Sequence, residues 1–346
     1  MINKITALIF CPLLIYSLLS AEEQPGMPKQ HLNIAKTSTK SLLRLFSPQE
    51  TPRPNRHPLL SIFPDPLPDG RSTVTMEVAN QFLRPDFEFA DNGRTFARFD
   101  GEDWGLTVDL AQEFGPLVFN LRLRGIWRSG GCADQLFASW HTLLGTPQGG
   151  RQYAPKFRLD YTLMRDGHLV AQLINNRICF MDTDLAVLCP FGNQESGGRL
   201  GVSLQAPTGS RRDFSGSGGW DELVGAALWK SWGYFRFHTQ LEYAFLGISD
   251  INPYSLVLEH RTQKRAWVGA ACQGCGHGFW SGLGLDITIG YTESPYSVSV
   301  PRIDRSGWQQ HWTFSHMRFP KWKIGLSEEA GTYTSPDLTV FVIKKF

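Results

Sequence analysis

From Ser72 onward the chain alternates apolar residues with polar, small or charged ones at a period of two. That period gives a β-strand one greasy face and one wet face. Leu117, Phe119, Leu121, Leu123 and Trp127 alternate with Val118, Asn120, Arg122, Arg124 and Arg128. Phe235, Phe237, Leu241, Tyr243 and Phe245 alternate with Arg236, His238, Gln240 and Glu242. Leu283, Leu285, Ile287 and Ile289 alternate with Gly284, Asp286, Thr288 and Gly290. A soluble β-sandwich alternates in the same way, but three features favour a membrane barrel. Several segments run to ten or more residues, the length of a tilted membrane strand rather than the usual five or six. Aromatic residues recur near segment ends, among them Trp104, Trp127, Trp229, Trp232 and Trp322, where interface anchors belong. Short turns (Gly115-Pro116, residues 230–233, Phe319-Pro320) alternate with long loops (residues 85–101, 130–156, 207–219 and 292–306). The expected fold is all-β: a closed antiparallel transmembrane β-barrel of about twelve strands. Fourteen is the alternative, because Asp166-Gly167 could turn one or two hairpins within residues 157–190.

The termini fit export to an outer membrane. Lys4 followed by the apolar stretch 5–19 and the small pair Ser20-Ala21 reads as a secretory signal over residues 1–21. No later run is apolar for about eighteen residues, so no further transmembrane helix is expected. Residues 22–70 carry Pro48, Pro52, Pro54, Pro58, Pro64, Pro66 and Pro68, a density that denies donors to a sheet and breaks helices. This stretch is expected to be a periplasmic lead-in or partial plug, with the barrel over residues 71–346. The last segment places Leu338, Val340, Val342, Lys344 and Phe346 on one face. A terminal aromatic after alternating apolar positions suits recognition by the barrel-assembly machinery, with Phe346 as the signal, and Lys344 can snorkel to the interface. Outer-membrane lipid and a small solute complete the expected partners. A formal net charge of +2 gives no electrostatic reason to expect nucleic acid.

Two further stretches carry a family likeness: Trp140-His141 followed by residues 144–151 (Leu-Gly-Thr-Pro-Gln-Gly-Gly-Arg), and Ser327-Glu328-Glu329 followed by Ser335-Pro336-Asp337 and the terminal strand. On these the chain resembles an uncharacterised family of Gram-negative outer-membrane β-barrel proteins of similar length. The likeness covers most of the chain from about Pro64. It implies an outer-membrane barrel and implies no activity.

Two constellations are candidates for function. Arg122, Arg124 and Arg128 share one face of a strand, facing Asp109 and Glu113 on the strand before and Glu77 on the one before that. A basic ladder opposite acids sets a transverse field that orients polar solutes in a narrow pore; equally, the charges can simply satisfy one another in a filled interior. Leu136, Phe137, Trp140, His141 and Leu144 fall at helical spacing, after Gly130-Gly131 and before Gly145. A short amphipathic helix in a long external loop can narrow the lumen, lie on the outer leaflet or brace the rim.

Five cysteines follow the signal. Cys272 and Cys275, with His277, make half a zinc site with no second pair at ligand spacing, so no metal or cofactor is expected. A local disulfide, or one between Cys179 and Cys189, is the simpler use. Catalysis is not expected either. Ser315 and His316 are adjacent and so lie on opposite faces of a strand, and Ser139 and His141 diverge on a helix. The reading is a passive channel for a small or amphipathic solute. A non-conducting structural or adhesion barrel is the alternative, followed by a lipid-active enzyme.

Overall fold

The computed structural model describes residues 73–83, 96–131, 135, 138–139, 142, 155–165, 168–193, 195–210, 215–216, 219–245, 247, 262–273, 282–292, 307–319, 321–330 and 336–345. Among them are fifteen β-strands. In chain order they are β1 (Thr73–Leu83), β2 (Phe96–Phe114), β3 (Leu117–Ser129), β4 (Asp160–Arg165), β5 (His168–Leu173), β6 (Arg177–Phe180), β7 (Thr183–Gly192) and β8 (Ser196–Ala206). There follow β9 (Asp221–Trp232), β10 (Phe235–Phe245), β11 (Thr262–Gln273), β12 (Leu283–Thr292), β13 (Gly307–His316), β14 (Trp322–Ala330) and β15 (Pro336–Lys345).

Every pairing is antiparallel, as expected where neighbours in sequence are joined by hairpins. β1 pairs with β2, β2 with β3 and β3 with β7. From β7 each strand pairs with the next, through β15. β15 then pairs with β1, Thr73 opposite Lys345, so the path returns to the strand where it began. The stretch 157–190, ambiguous in sequence, resolves into three short strands and β7. Arg165 pairs with His168, so β4 and β5 turn where Asp166-Gly167 predicted a turn. β4 lies along Phe96–Asp100 of β2, past the end of β3, and β6 lies along Gly125–Arg128 of β3, past the end of β7.

The connections sort by length. One end gathers the turns Gly115-Pro116 and Gly233-Tyr234, residues 193–195 and 317–321, the longer 274–282, and the Thr73–Lys345 pair. The other holds residues 84–95, 130–182, 207–220, 246–261 and 293–306, with the shorter 331–335. β9 continues through Trp232, so the turn predicted at 230–233 falls at Gly233-Tyr234. Gly115 and Gly233 open the two-residue turns with φ of 59° and 58°, a left-handed backbone that favours glycine.

Solvation is inverted relative to a soluble sheet. On β3, Asn120, Arg124 and Arg128 are buried while Phe119, Leu123 and Trp127 are exposed. β10 buries Arg236, His238, Gln240 and Glu242 and exposes Phe235, Phe237, Leu241 and Phe245. β8 buries Arg199, Ser203 and Gln205 and exposes Leu200, Val202 and Leu204. A sheet whose apolar side chains are turned outward on strand after strand among the described residues needs an apolar surrounding.

Candidate functional site

The candidate site is the buried face, assembled from alternate residues of β2, β3 and β7 to β15, the strands on the path whose side chains are described. The expected arginine ladder is there, with different partners. Arg122 Nε donates to Asp109 Oδ1 at 2.6 Å, the pair foreseen. Arg124 turns instead to β7, its Nη2 lying 3.0 Å from Asp184 Oδ2 and 3.0 Å from the Asp182 carbonyl. Arg128 Nε donates to Asp103 Oδ1 at 3.2 Å, and its Cζ sits 5.4 Å from the centre of the Tyr161 ring. Tyr161, on the β4–β5 hairpin, keeps its hydroxyl proton: burial first, and the Asp103 carboxylate second, push its pKa well above the usual range. Glu113 is not brought in; it lies exposed beside the Gly115-Pro116 turn, too far down β2 to meet an arginine. The backbone of Glu77 pairs with Phe341 and Gly105, and its side chain lies outside the described residues.

The same face holds groups that sequence reasoning did not single out. His238 Nε2 and Asp286 Oδ1 are 3.1 Å apart, and Thr288 Oγ1 reaches the same carboxylate at 3.3 Å. Arg265 Nη1 donates to Glu242 Oε2 at 3.0 Å. Glycines make room for large side chains: a Cβ at Gly290 would meet the Trp267 indole, one at Gly325 the Phe341 ring, and one at Gly269 the His238 ring. Trp267 is therefore 3% exposed on the buried face, which it shares with Phe341, Ile343 and Leu223 among the polar groups. Gln205 is fully buried with neither side-chain amide atom bonded, and Asn120 Nδ2 and Trp267 Nε1 are likewise unpartnered. Groups of this kind call for water or a polar solute.

The aromatic anchors divide. Trp104 and Trp127 are exposed side by side, ring centres 6.3 Å apart, and Trp232 is 80% exposed. Trp229, expected at the interface, instead belongs to the polar face: it stacks under the Arg236 guanidinium at 5.3 Å and donates from Nε1 to the Asn193 carbonyl. Trp322 is covered by Lys344, whose Nζ lies 4.8 Å above its ring, so the lysine that interrupts the terminal alternation has a partner across the strand pair.

The residues proposed for the loop helix, Leu136, Phe137, Trp140, His141 and Leu144, lie outside the described residues, as does Phe346. Beside and among them, Gln135, Ala138, Ser139 and Thr142 have helical backbone. The Ser139 hydroxyl donates to the Gln135 carbonyl at 2.7 Å, and the Thr142 hydroxyl to that of Ala138 at 2.8 Å. Cys179 and Cys189 are not joined in a disulfide, against the pairing considered from sequence: Cys179 is buried opposite Ile126 and Cys189 exposed opposite Leu200, so they sit on opposite faces of the wall. Cys272 is disulfide-bonded, with its partner outside the described residues.

An antiparallel all-β sheet, polar on its buried face and apolar on its exposed one, is the architecture of bacterial outer-membrane barrels. The crystal structure of the COG4313 outer membrane channel from Pseudomonas putida F1 superposes with a TM-score of 0.50 over 81% of this chain and 97% of that one, at 13% identity. A NanC porin matches over 80% of this chain and 98% of its own, at 6% identity and a TM-score of 0.38, a level that carries no inference. The chain belongs to the family described as protein of unknown function (DUF3187), whose model matches residues 70–342. No curated protein matches it in sequence.

Proposed function

We propose that the mature chain is an outer-membrane barrel closed by twelve strands, β1, β2, β3 and β7 to β15, that passes a small or amphipathic solute. The inverted solvation carries this reading: a ring of pairings with its polar groups inside and Phe119, Leu123, Val202, Leu241 and their neighbours outside has no favourable place in water. An even number of strands puts both ends of the chain beside the short turns, the periplasmic side of such barrels. β4, β5 and β6 then stand above the membrane as part of an external excursion, and the segment around Trp140 belongs to the same excursion. Likeness to an outer-membrane channel supports conduction. The signal over residues 1–21, the lead-in over 22–70 and delivery through the assembly machinery by the strand ending at Phe346 belong to this proposal. No catalytic role does.

A second reading has its own observation. Arg128, Lys323, Trp267 and Phe341 are almost wholly inaccessible on the inner face, as in small barrels whose interiors are filled by side chains. A filled interior suits a structural or adhesion barrel. Single-channel recording of residues 22–346 refolded into planar bilayers separates the two. Discrete conductance steps that change when residues 132–144 are deleted support a pore narrowed by that segment. Stable insertion without conductance, before and after the deletion, defeats the channel and leaves the filled barrel.

A further inference from the structure

Much of the buried face is bulky, filled by side chains such as Arg128, Lys323, Trp267 and Phe341. One part of it is not. Asn120, Ala186, Ser203, Leu223 and Ala244 stand opposite one another in a row across β3, β7, β8, β9 and β10. The next row toward the short turns runs through Leu188, Gly201 and Gly225 on β7, β8 and β9. Ala186, Leu188, Leu223, Ala227 and Ala244 form one apolar cluster, with no member more than 7% exposed. Alanine, glycine and serine at these positions make the lining thin as well as apolar.

Two neutral amides border this patch, each with polar atoms left over. Gln205 lies on β8 two residues beyond Ser203, wholly buried, with neither Nε2 nor Oε1 hydrogen-bonded. Asn120 is buried in the alanine row itself, and its Nδ2 is not hydrogen-bonded either. Two strand spacings and two residues separate them, on the order of 12 Å between Cα atoms. That gap suits two amide side chains reaching toward a head group between them. A buried amide without a partner is costly, and the charged groups nearby are engaged elsewhere. Asp184, opposite Gln205 on β7, lies 3.0 Å from Arg124 Nη2. Asp221, opposite it on β9, accepts from Gly247 N. Asp109 accepts from Arg122.

We infer that the apolar patch and its two amides form a solute subsite that binds a neutral amphiphile, an apolar body ending in an amide or hydroxyl head. The inference rests on the channel reading above. The small apolar side chains take the body out of water. Gln205 offers the head a donor and an acceptor, and Asn120 offers a donor. A carboxylate or ammonium head fits worse: the carboxylates around the subsite already have partners, and a further charge would be buried without one of its own. A solute with no polar head leaves Gln205 unpartnered and gains nothing from it. Short primary amides and alcohols are therefore the class favoured.

The test titrates residues 22–346 in lipid nanodiscs with hexanamide, hexanoate and hexylammonium, by calorimetry against empty nanodiscs at neutral pH. Single-channel recording of the same preparation runs beside it. The expected result is saturable hexanamide binding, at least about tenfold tighter than that of either charged probe. Gln205→Leu removes the unpartnered amide, so it is expected to weaken hexanamide at least about tenfold while raising the midpoint of urea unfolding. Gln205→Glu is expected to turn the preference toward hexylammonium. The comparison of the three probes on the unaltered chain stands without these variants should either fail to fold. Conductance without saturable hexanamide binding overturns the subsite and leaves the channel intact. Equal binding of the three probes, or undiminished hexanamide binding in Gln205→Leu, overturns it as well. Saturable, selective binding without conductance supports the subsite and overturns passage; neither binding nor conductance overturns both.

Discussion

Arg128 and Asp103 lie at 0% and 2% exposure, 3.2 Å apart, so each is the other's substitute for water. Removing one partner leaves the other buried charge without its salt bridge. Arg128→Ala is expected to destabilise the folded protein by about 3–5 kcal/mol, and the double change Arg128→Met with Asp103→Leu by distinctly less; urea unfolding of the protein in lipid vesicles, followed by tryptophan fluorescence, measures both. If the single change proves as mild as the double, the pair is solvated after all. Crowding gives a second expectation. Gly325→Val forces a branched side chain into the space of the Phe341 ring, and should cost about 1–3 kcal/mol in the same assay. The arginine ladder was legible in sequence because three arginines at even spacing mark one face. Two of its three partners were not. Asp103 stood at the edge of a stretch read as loop, and Asp184 fell within residues 157–190, where no sustained alternation fixed which residues faced in.

Long strands declare themselves through repetition. β3, β10 and β12 were readable because ten or more alternating residues leave little freedom of register. β4, β5 and β6 have six, six and four residues, too few for a period to stand out, and their positions depend on contacts with β2 and β3 that no local signal records. Trp229 shows the same limit: an aromatic near a strand end is an anchor on one face and a platform under Arg236 on the other, and one residue of register separates the two. The faces differ in what they tolerate. Leu123→Arg, on the exposed face, should cost about 2–4 kcal/mol if that face meets lipid, whereas Ser203→Ala, on the buried face, should be nearly silent; equal and small effects in vesicle unfolding would argue for a water-facing sheet. Cys189 reports on the same surface. It is exposed yet lies on the apolar face, so in intact membranes a lipid-soluble maleimide should label it and a charged, impermeant one should not; detergent should abolish the difference.

For the molecule as a whole, the inverted faces make one combined demand. Expressed with residues 1–21, the chain should sediment with outer membranes, and in electrophoresis the unheated protein should migrate faster than the boiled one if the strands close into a barrel that resists detergent. Recovery in the soluble periplasmic fraction would remove the membrane reading altogether. A different consequence follows from the pairing of Thr73 with Lys345. The first and last strands are neighbours and run out at the same end, so a short peptide could join them without moving either. Cutting the chain at Gly233-Tyr234 would then give new termini beside the old ones, with each strand keeping both of its neighbours. The order in which the strands are synthesised is therefore separable from the order in which they stand, and a permuted gene beginning at Phe235 offers a way to learn which strand must arrive last for the wall to seal.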